Sequence, residues 1–191
     1  KRLIKISKKI DWAKNWPKNK VSFWNGEAFM WEYKIDKNIR KLIQSEFEEL
    51  KYGTNLDLGC GSYSYIPSVG FDCSEKMLKF NPNCKEKVIG DLEKPLPFEK
   101  NKFDSVTAIF VFNYVKNYLL LLSEIKRILK NEGIFVLVLG ADSVNQWQKQ
   151  KEVNCFDFEK WKNVLNKTDF EVESYQKERL WFFKCRNVEF F

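Results

Sequence analysis

The stretch at residues 55–78, NLDLGCGSYSYIPSVGFDCSEKML, contains two short apolar runs, each followed by residues suited to a ligand site. The first run ends at Leu58, before Gly59 and Gly61, and the second is closed by Asp72. Glycine lacks a Cβ atom, so its backbone can turn sharply and a ligand can approach it closely. In open α/β sheets, ligands bind outside the carboxyl ends of the strands, where a carboxylate can accept ribose hydroxyls. The stretch therefore predicts a nucleoside site.

Around this stretch, short apolar runs alternate with helical patterns, which is typical of a parallel sheet covered by helices. The pattern predicts strands at 54–58, 69–72, 86–90, 104–111 and 133–139, helices at 36–50, 118–133 and 157–170, and final strands at 170–176 and 179–187. In the second helix, Leu119, Leu122, Ile125 and Leu129 are predicted to face the core. The predicted fold class is α/β: a three-layer α/β/α sandwich with a mostly parallel, seven-stranded sheet and an antiparallel C-terminal edge hairpin.

The composition excludes several kinds of site. The chain of 191 residues has no histidine, which removes histidine as a catalytic base or metal ligand. Its five cysteines form no C-x-x-C pair, so neither a disulfide framework nor a metal site is expected, and a cytoplasmic location fits. No uninterrupted apolar run reaches the length of about 18 residues that a membrane span needs, so no integral membrane association is expected.

The net charge of +7 lies entirely in residues 1–24, which carry eight Lys or Arg and one Asp. This segment also holds Trp12, Trp16 and Trp24. Interleaved basic and aromatic residues can bind nucleic-acid phosphates and bases, lie on an anionic membrane, or hold an anionic substrate. The alternative is a solvated arm whose tryptophans pack on the domain. We therefore treat residues 1–35 as a basic, Trp-rich arm, in which the aromatic segment 23–33 can act as a lid.

Two nucleotide-binding motifs do not fit the glycine loop. A dinucleotide fingerprint needs a third glycine where Ser64 stands, and a P-loop needs a G-K-[ST] ending that is absent. Tyr33-x-x-x-Lys37 matches a dehydrogenase dyad in spacing, but it precedes the glycine loop. An NAD-dependent dehydrogenase is therefore disfavoured.

Four segments in order, LDLGCG, GFDCSEKML, GDLEKPLPFEKNKFDSV and EIKRILKNEGIFVLVLG, resemble class I S-adenosylmethionine-dependent methyltransferases, in particular their small-molecule branch. The resemblance covers about residues 36–191, which are thus expected to form a methyltransferase domain with S-adenosylmethionine as its cofactor. Two features depart from the family pattern. Tyr63 stands where the family usually has a further glycine, and the segment after the loop is short for a helix.

The resemblance implies a role for each part of the site. The glycine loop would surround the methionine part of the cofactor, Asp72 would bind the ribose, and the end of the third strand would meet the adenine. Residues 110–114 would form the floor near the reactive methyl group. The cofactor-binding residues implied are Asp57, Gly59, Cys60, Gly61, Tyr63, Asp72, Cys73, Met77, Asp91, Leu92 and Phe110. The candidate catalytic residues are Tyr33, Asn113 and Tyr114, with Asp142 as a further possible base.

Three functions compete at this point. The leading hypothesis is methyl transfer to a small-molecule acceptor. The second is methylation of RNA or protein through the basic arm, although FNYV after the fourth strand lacks the N-P-P-Y motif of amine methylation. The third is a non-catalytic partner subunit that keeps the fold, for which Tyr63 is the main support. The sequence carries no signal for the oligomeric state.

Overall fold

The computed structural model describes residues 19–28, 31–141, 149 and 151–188. The α-helices are α1 (Lys20–Glu27), α2 (Trp31–Lys34), α3 (Lys37–Glu46), α4 (Glu75–Phe80), α5 (Tyr118–Ile128) and α6 (Phe158–Leu165), with 3-10 helices at Glu48–Tyr52 and Phe112–Tyr114. The strands are β1 (Asn55–Leu58), β2 (Ser68–Asp72), β3 (Cys84–Ile89), β4 (Phe103–Ile109), β5 (Leu129–Gly140), β6 (Phe170–Lys177) and β7 (Leu180–Asn187).

The seven strands form one sheet in the order β3-β2-β1-β4-β5-β7-β6. Strands β1 to β5 pair in parallel, whereas β7 pairs antiparallel with both β5 and β6. This confirms the predicted sheet and its C-terminal hairpin. Strand order reverses at β1, which lies between β2 and β4. The carboxyl ends of these three strands therefore meet where ligands bind in such sheets.

Side chains alternate between two buried faces of the central strands, and helices cover both. In β5, Phe135 and Leu137 join the core beneath α5 and α6. Val136 and Val138 join the opposite core, which contains Ile43 of α3. A parallel strand buried on both faces reads as a continuous apolar run, which explains the composition of β4 and β5. The predicted three-layer arrangement is thus confirmed.

Helix α5 is shorter than the predicted helix 118–133, and of the four residues predicted to face the core Leu122, Ile125 and Leu129 are buried. It ends at Ile128, because Leu129 adopts an extended backbone and pairs with Phe103 at the start of β5. The buried side chains are Leu121, Leu122, Ile125 and Ile128, whereas Leu119 is 61% exposed. The prediction that Leu119 faces the core is therefore wrong. Four consecutive leucines fit more than one helical face, and tertiary packing decides between them.

Two other predicted helices are also shorter than expected. Helix α3 begins after the predicted cap Asp36, whose carboxylate accepts from the Asn38 N–H at 2.7 Å. It ends at Glu46 and passes into the 3-10 helix Glu48–Tyr52. Helix α6 ends at Leu165, residues 166–169 form a non-helical turn, and Phe170 begins β6.

Replacing Ile125 with alanine tests this packing. Ile125 is fully buried, so Ile125→Ala should lower the free energy of unfolding by about 2–5 kcal/mol through lost burial and a residual cavity. Leu119→Ala on the same helix is the matched control and should change it by less than about 0.5 kcal/mol. Chemical denaturation measures both. Equal losses in the two variants would contradict the assigned face.

Candidate cofactor site

A cavity with about 540 Å³ of empty space, open solvent included, lies at the carboxyl ends of β1, β2 and β4, beneath α1 and α2. We call it the glycine cavity. It is lined by Lys20, Trp24, Trp31, Gly59, Gly61, Asp72, Cys73, Met77, Leu92, Ile109, Phe110, Val111, Tyr114 and Val115. Eight of these residues are among those that the sequence predicted for the site.

The loop after β1 requires both glycines. Gly59 and Gly61 have backbone φ angles of +62° and +57°, which residues other than glycine rarely adopt. A Cβ atom on Gly59 would lie 2.4 Å from Cγ2 of Val111, and one on Gly61 would lie 3.1 Å from Nε1 of Trp31. Glycine at these two positions thus allows the turn and the close approach of Val111 and Trp31.

The loop from β1 to β2 is held by a side chain from beyond α4, and residues 59–67 contain no helix. The Asn81 amide donates to the carbonyl of Gly61 at 3.1 Å, and its Oδ1 atom accepts from the N–H of Ser64 at 3.2 Å. Asn81 therefore satisfies backbone groups that a helix would otherwise pair.

Asp72, at the end of β2, is 8% exposed and is the acceptor of two backbone donors. Its Oδ2 atom accepts from the N–H of Gly61 at 3.0 Å, and its Oδ1 atom accepts from the N–H of Ser74 at 2.8 Å. Burial raises the pKa of this carboxyl, and the two N–H groups oppose that rise. A carboxylate has about four acceptor positions, so Asp72 retains the capacity to accept ligand hydroxyls.

Asp57 and Tyr63 line a smaller neighbouring cavity of about 260 Å³, together with Cys60. We call it the tyrosine cavity, and it shares Trp31 and Gly59 with the glycine cavity. Asp57 accepts from the Thr107 hydroxyl at 2.8 Å, and burial raises its pKa to about 7.

Tyr63, the residue that departs from the family pattern, lies outside the glycine cavity. Its hydroxyl accepts from Nε2 of Gln44 at 3.0 Å, and the Arg40 guanidinium lies 4.4 Å from its ring centre. Both partners belong to α3. Tyr63 is therefore held towards α3 and does not fill the space above Gly61.

The cysteines at the site are thiols. Burial raises the pKa of Cys73 to about 12. The Cys60 thiol donates to the carbonyl of Gly61 at 3.6 Å, and the 4.0 Å contact with the sulfur of Cys84, together with burial, raises its pKa. Neither Cys60 nor Cys73 has the depressed pKa of a nucleophilic cysteine.

Helices α1 and α2 close the glycine cavity. The Trp24 ring packs edge-on against Tyr114, with centroids 5.1 Å apart, and against Trp31 at 6.1 Å. The Asn25 side chain accepts from the Ser74 hydroxyl at 2.7 Å, which attaches α1 to the start of α4. Segment 23–33, predicted as a possible lid, contributes Trp24 and Trp31 to the lining, and Val111 belongs to the predicted floor at 110–114. The sequence did not indicate Lys20 as a lining residue.

Asp91 and Leu92, the two residues after the third strand that were predicted to meet the adenine, have different positions relative to the glycine cavity. Leu92 lines the glycine cavity, whereas Asp91 does not. The Asp91 carboxylate lies 3.5 Å from Nζ of Lys20 and accepts from the N–H of Glu93 at 3.1 Å. Asp91 thus stands beside the cavity and holds Lys20, which does line it.

Phe110 follows β4 with a φ of +57°. A bulky residue in this region is strained, by an amount on the order of 1–3 kcal/mol, and such strain clusters at ligand sites. Phe110 lines both the glycine and the tyrosine cavities, and its N–H donates to the carbonyl of Val138 at 2.8 Å. The sheet therefore holds Phe110 at the base of the site.

The three candidate catalytic residues have different positions. Tyr114 lines the glycine cavity, and burial raises the pKa of its phenol above the usual value. Asn113 lines neither cavity, and its carbonyl accepts from the N–H groups of Val153 and Asn154. Tyr33 is part of α2, but its side chain lies outside the described part of the structure. Asp142, Trp12 and Trp16 lie outside the described residues.

Asp57→Asn tests the charge state of the buried carboxyl. Since burial raises the pKa of Asp57 to about 7, the native state binds more protons than the unfolded state between about pH 4 and 7. Stability from this group is therefore greatest below pH 4 and decreases as the pH rises towards 7. Asparagine can still accept from Thr107 but carries no charge. Asp57→Asn should raise the melting temperature at pH 8 and leave it nearly unchanged at pH 4.

Thermal denaturation at the two pH values measures this difference. Asp36→Asn is the control, because asparagine caps a helix as well as aspartate and Asp36 is exposed. A variant of Asp57 that is no more stable than the wild-type protein at pH 8 would contradict the assignment.

Part of this chain is similar to proteins of a known family. Residues 56–137 match the family described as "Methyltransferase domain". An uncharacterized protein of Methanocaldococcus jannaschii is 34% identical over 142 residues, which are 71% of this chain and 60% of that protein. A demethylmenaquinone methyltransferase of Staphylococcus saprophyticus is 32% identical over 117 residues, 52% of this chain and 50% of that protein. The chain thus spans about half to three fifths of these curated relatives.

Solved structures share the fold at low identity. A chain in a complex with the Haloferax volcanii Trm112 methyltransferase activator superposes with a TM-score of 0.72 and 17% identity, covering 88% of this chain and 96% of that one. An S-adenosylmethionine-dependent methyltransferase of Aquifex aeolicus superposes with a TM-score of 0.67 and 15% sequence identity. The match covers 86% of this chain and 98% of that one. Among the described residues, no helix has the length and apolar composition of a membrane span. Residues 56–137 thus match a methyltransferase domain, and the chain shares the fold of these solved methyltransferase structures.

Proposed function

We propose that this protein transfers the methyl group of S-adenosylmethionine to a small-molecule acceptor, with the cofactor bound in the glycine cavity. The observation that carries the proposal is the meeting of two positive-φ glycines and the buried Asp72 carboxylate at one edge of the sheet. This edge is where the strand order reverses. The domain assignment supports the same cofactor.

The residues of the cavity fit a bound adenosine. Asp72 has acceptor capacity left for ribose hydroxyls after binding its two backbone donors. Met77 and Leu92 are buried apolar residues in the same wall and suit the faces of an adenine ring. The glycine loop leads towards the tyrosine cavity and Asp57, where the ammonium group of the methionine part would meet a carboxylate.

The chain's own task is to bind, orient and exclude water. S-Adenosylmethionine supplies, when bound, a methyl group already activated on a sulfonium sulfur. Transfer then depends on alignment of donor and acceptor, and positioning can supply up to about 7–11 kcal/mol of the acceleration. Phe110 forms the base of the site, while Trp24 and Trp31 cover it. We assign residues 20–35 the role of a lid within the predicted arm.

The lining favours an acceptor that needs little help from a base. Burial keeps Cys73 and Tyr114 protonated at neutral pH, and Lys20 is a cation beside Asp91. Asp72 is engaged by two backbone donors. Tyr114 can thus donate a hydrogen bond to an acceptor but is a poor base. An acceptor atom that is already ionised, or readily ionised, fits this environment.

The alternatives have weaker support. The non-catalytic hypothesis depended on Tyr63 obstructing the site, and Tyr63 is held by Gln44 and Arg40 outside the glycine cavity. The RNA or protein hypothesis depended on the basic arm, most of which, residues 1–18, lies outside the described residues. Trp24 and Trp31 line the glycine cavity and offer apolar ring surface to a small acceptor.

Calorimetric titration tests the cofactor assignment. S-Adenosylhomocysteine should bind and NAD should not. Asp72→Asn should weaken S-adenosylhomocysteine binding by at least about tenfold, because hydrogen bonds to a charged group contribute about 1.5–3 kcal/mol each. Asp157→Asn is the matched control, since that carboxylate also accepts from a backbone N–H, that of Lys160, but lies on α6.

Unchanged affinity in Asp72→Asn, with the fold intact by circular dichroism, would mean that the ribose is held elsewhere. Binding of NAD without S-adenosylhomocysteine would refute the methyltransferase assignment itself.

A further inference from the structure

A third cavity, with about 860 Å³ of empty space including open solvent, adjoins the glycine cavity and is lined by three lysines. We call it the lysine cavity. It shares Lys20, Trp24 and Tyr114 with the glycine cavity, so the two meet at the Trp24–Tyr114 ring pair. A molecule in the lysine cavity would therefore reach the same rings that close the glycine cavity.

We propose that the lysine cavity binds the methyl acceptor, and that the acceptor is a small organic anion with a flat apolar body. The proposal rests on the proposed function, since it takes the glycine cavity as the cofactor site. It adds the chemical class of the acceptor: a carboxylate, sulfonate or phosphate group attached to an aromatic or otherwise planar framework.

The charges of the lysine cavity support an anionic ligand. Lys20, Lys116 and Lys151 face one acidic lining residue, Glu93. The Glu93 carboxylate is engaged by the backbone N–H groups of Lys116 and Asn117, at 2.7 and 2.9 Å, and lies 4.0 Å from Nζ of Lys20. Glu93 is therefore hydrogen-bonded by two backbone donors and paired with Lys20, which leaves Lys116 and Lys151 as the other cationic lining residues.

Two of the lysines have no acidic partner within the described ranges. No carboxylate described in the structure lies within 4.0 Å of the ammonium group of Lys116 or Lys151. Lysine side chains that line a cavity without such a partner raise the local concentration of anions and favour their orientation towards the positive charge. Lys116 and Lys151 line the lysine cavity but not the glycine cavity, so they are placed to hold the acceptor rather than the cofactor.

The aromatic walls define the body of the ligand. Phe23, Trp24 and Tyr114 line the lysine cavity, and the Phe23 and Trp24 rings meet at 4.9 Å with an interplanar angle of 78°. The ammonium group of Lys151 lies 5.6 Å from the centre of the Phe23 ring. A planar apolar body against these rings would bring its anionic group to Lys116 and Lys151 and its reacting atom to Tyr114.

The reacting atom near Tyr114 is distinct from the anionic group at the lysines, and among the lining residues whose side chains are described no strong base is placed to deprotonate it. In the transfer, a lone pair on the acceptor atom forms the bond to the methyl carbon as the carbon–sulfur bond breaks. The electron pair of that bond stays on sulfur, which becomes a neutral thioether. An acceptor atom that is already ionised has no proton to lose in this step.

Matched probes test the class of ligand. Naphthalene-2-carboxylate and naphthalene-2-carboxamide have the same planar body and differ in charge. Calorimetry with protein saturated with S-adenosylhomocysteine should show the carboxylate binding at least about tenfold more tightly than the carboxamide. The preference should shrink at high salt, since exposed charges are screened.

Charge-reversal variants locate the site. Lys116→Glu combined with Lys151→Glu should lower carboxylate affinity at least about tenfold, with S-adenosylhomocysteine affinity unchanged. The paired Lys→Arg variant should retain binding. Lys41→Glu, an exposed lysine on α3, is the matched control and should bind as the wild-type protein does.

The outcomes separate the two proposals. If S-adenosylhomocysteine binds but the carboxylate shows no preference or no binding, or the reversal variant binds it normally, the acceptor inference is overturned. If a short single-stranded RNA displaces the carboxylate and binds more tightly, the small-molecule class is overturned in favour of nucleic acid. If S-adenosylhomocysteine itself fails to bind the wild-type protein, the proposed function fails, and the acceptor inference fails with it.

Discussion

The buried carboxylate of Asp72 joins three parts of the chain that must be in place for a ligand to bind. It accepts from Gly61 in the loop after β1 and from Ser74 at the start of α4. Ser74 in turn donates to Asn25 of the covering helix α1. Without this acceptor, two buried N–H groups would lose their partner, at a cost of about 1–3 kcal/mol each. One side chain thus fixes the glycine loop and retains acceptor positions that face the cavity.

The features that could be predicted from the sequence are local in origin. The continuous apolar composition of β4 and β5 follows from burial on both faces, and Gly59 and Gly61 follow from a turn that needs positive φ. The prediction of a helix at 118–133 was wrong about where the helix ends and about the burial of Leu119. Both depend on residues distant in sequence, because Leu129 pairs with Phe103 and α5 packs on the sheet. Sequence periodicity does not contain that information.

The cover of the site could not be predicted in detail for the same reason. Contacts between Asn25 and Ser74 span 49 positions, and those between Lys20 and Asp91 span 71. In the sequence, Lys20, Phe23, Trp24 and Trp31 belong to the predicted basic arm. They line the glycine and lysine cavities because α1 and α2 pack on the sheet. Tyr63 illustrates the opposite case. Its place in the glycine loop suggested an obstruction, and its hydrogen bond with Gln44 turns it towards α3 instead.

The most direct test of the central claim is a crystal structure of the protein with S-adenosylhomocysteine. The account predicts ribose hydroxyls within hydrogen-bonding distance of the Asp72 carboxylate, adenine against Met77 and Leu92, and the sulfur atom directed towards Tyr114 and the lysine cavity. Ligand bound away from the glycine cavity, or a ribose with no contact to Asp72, would contradict it.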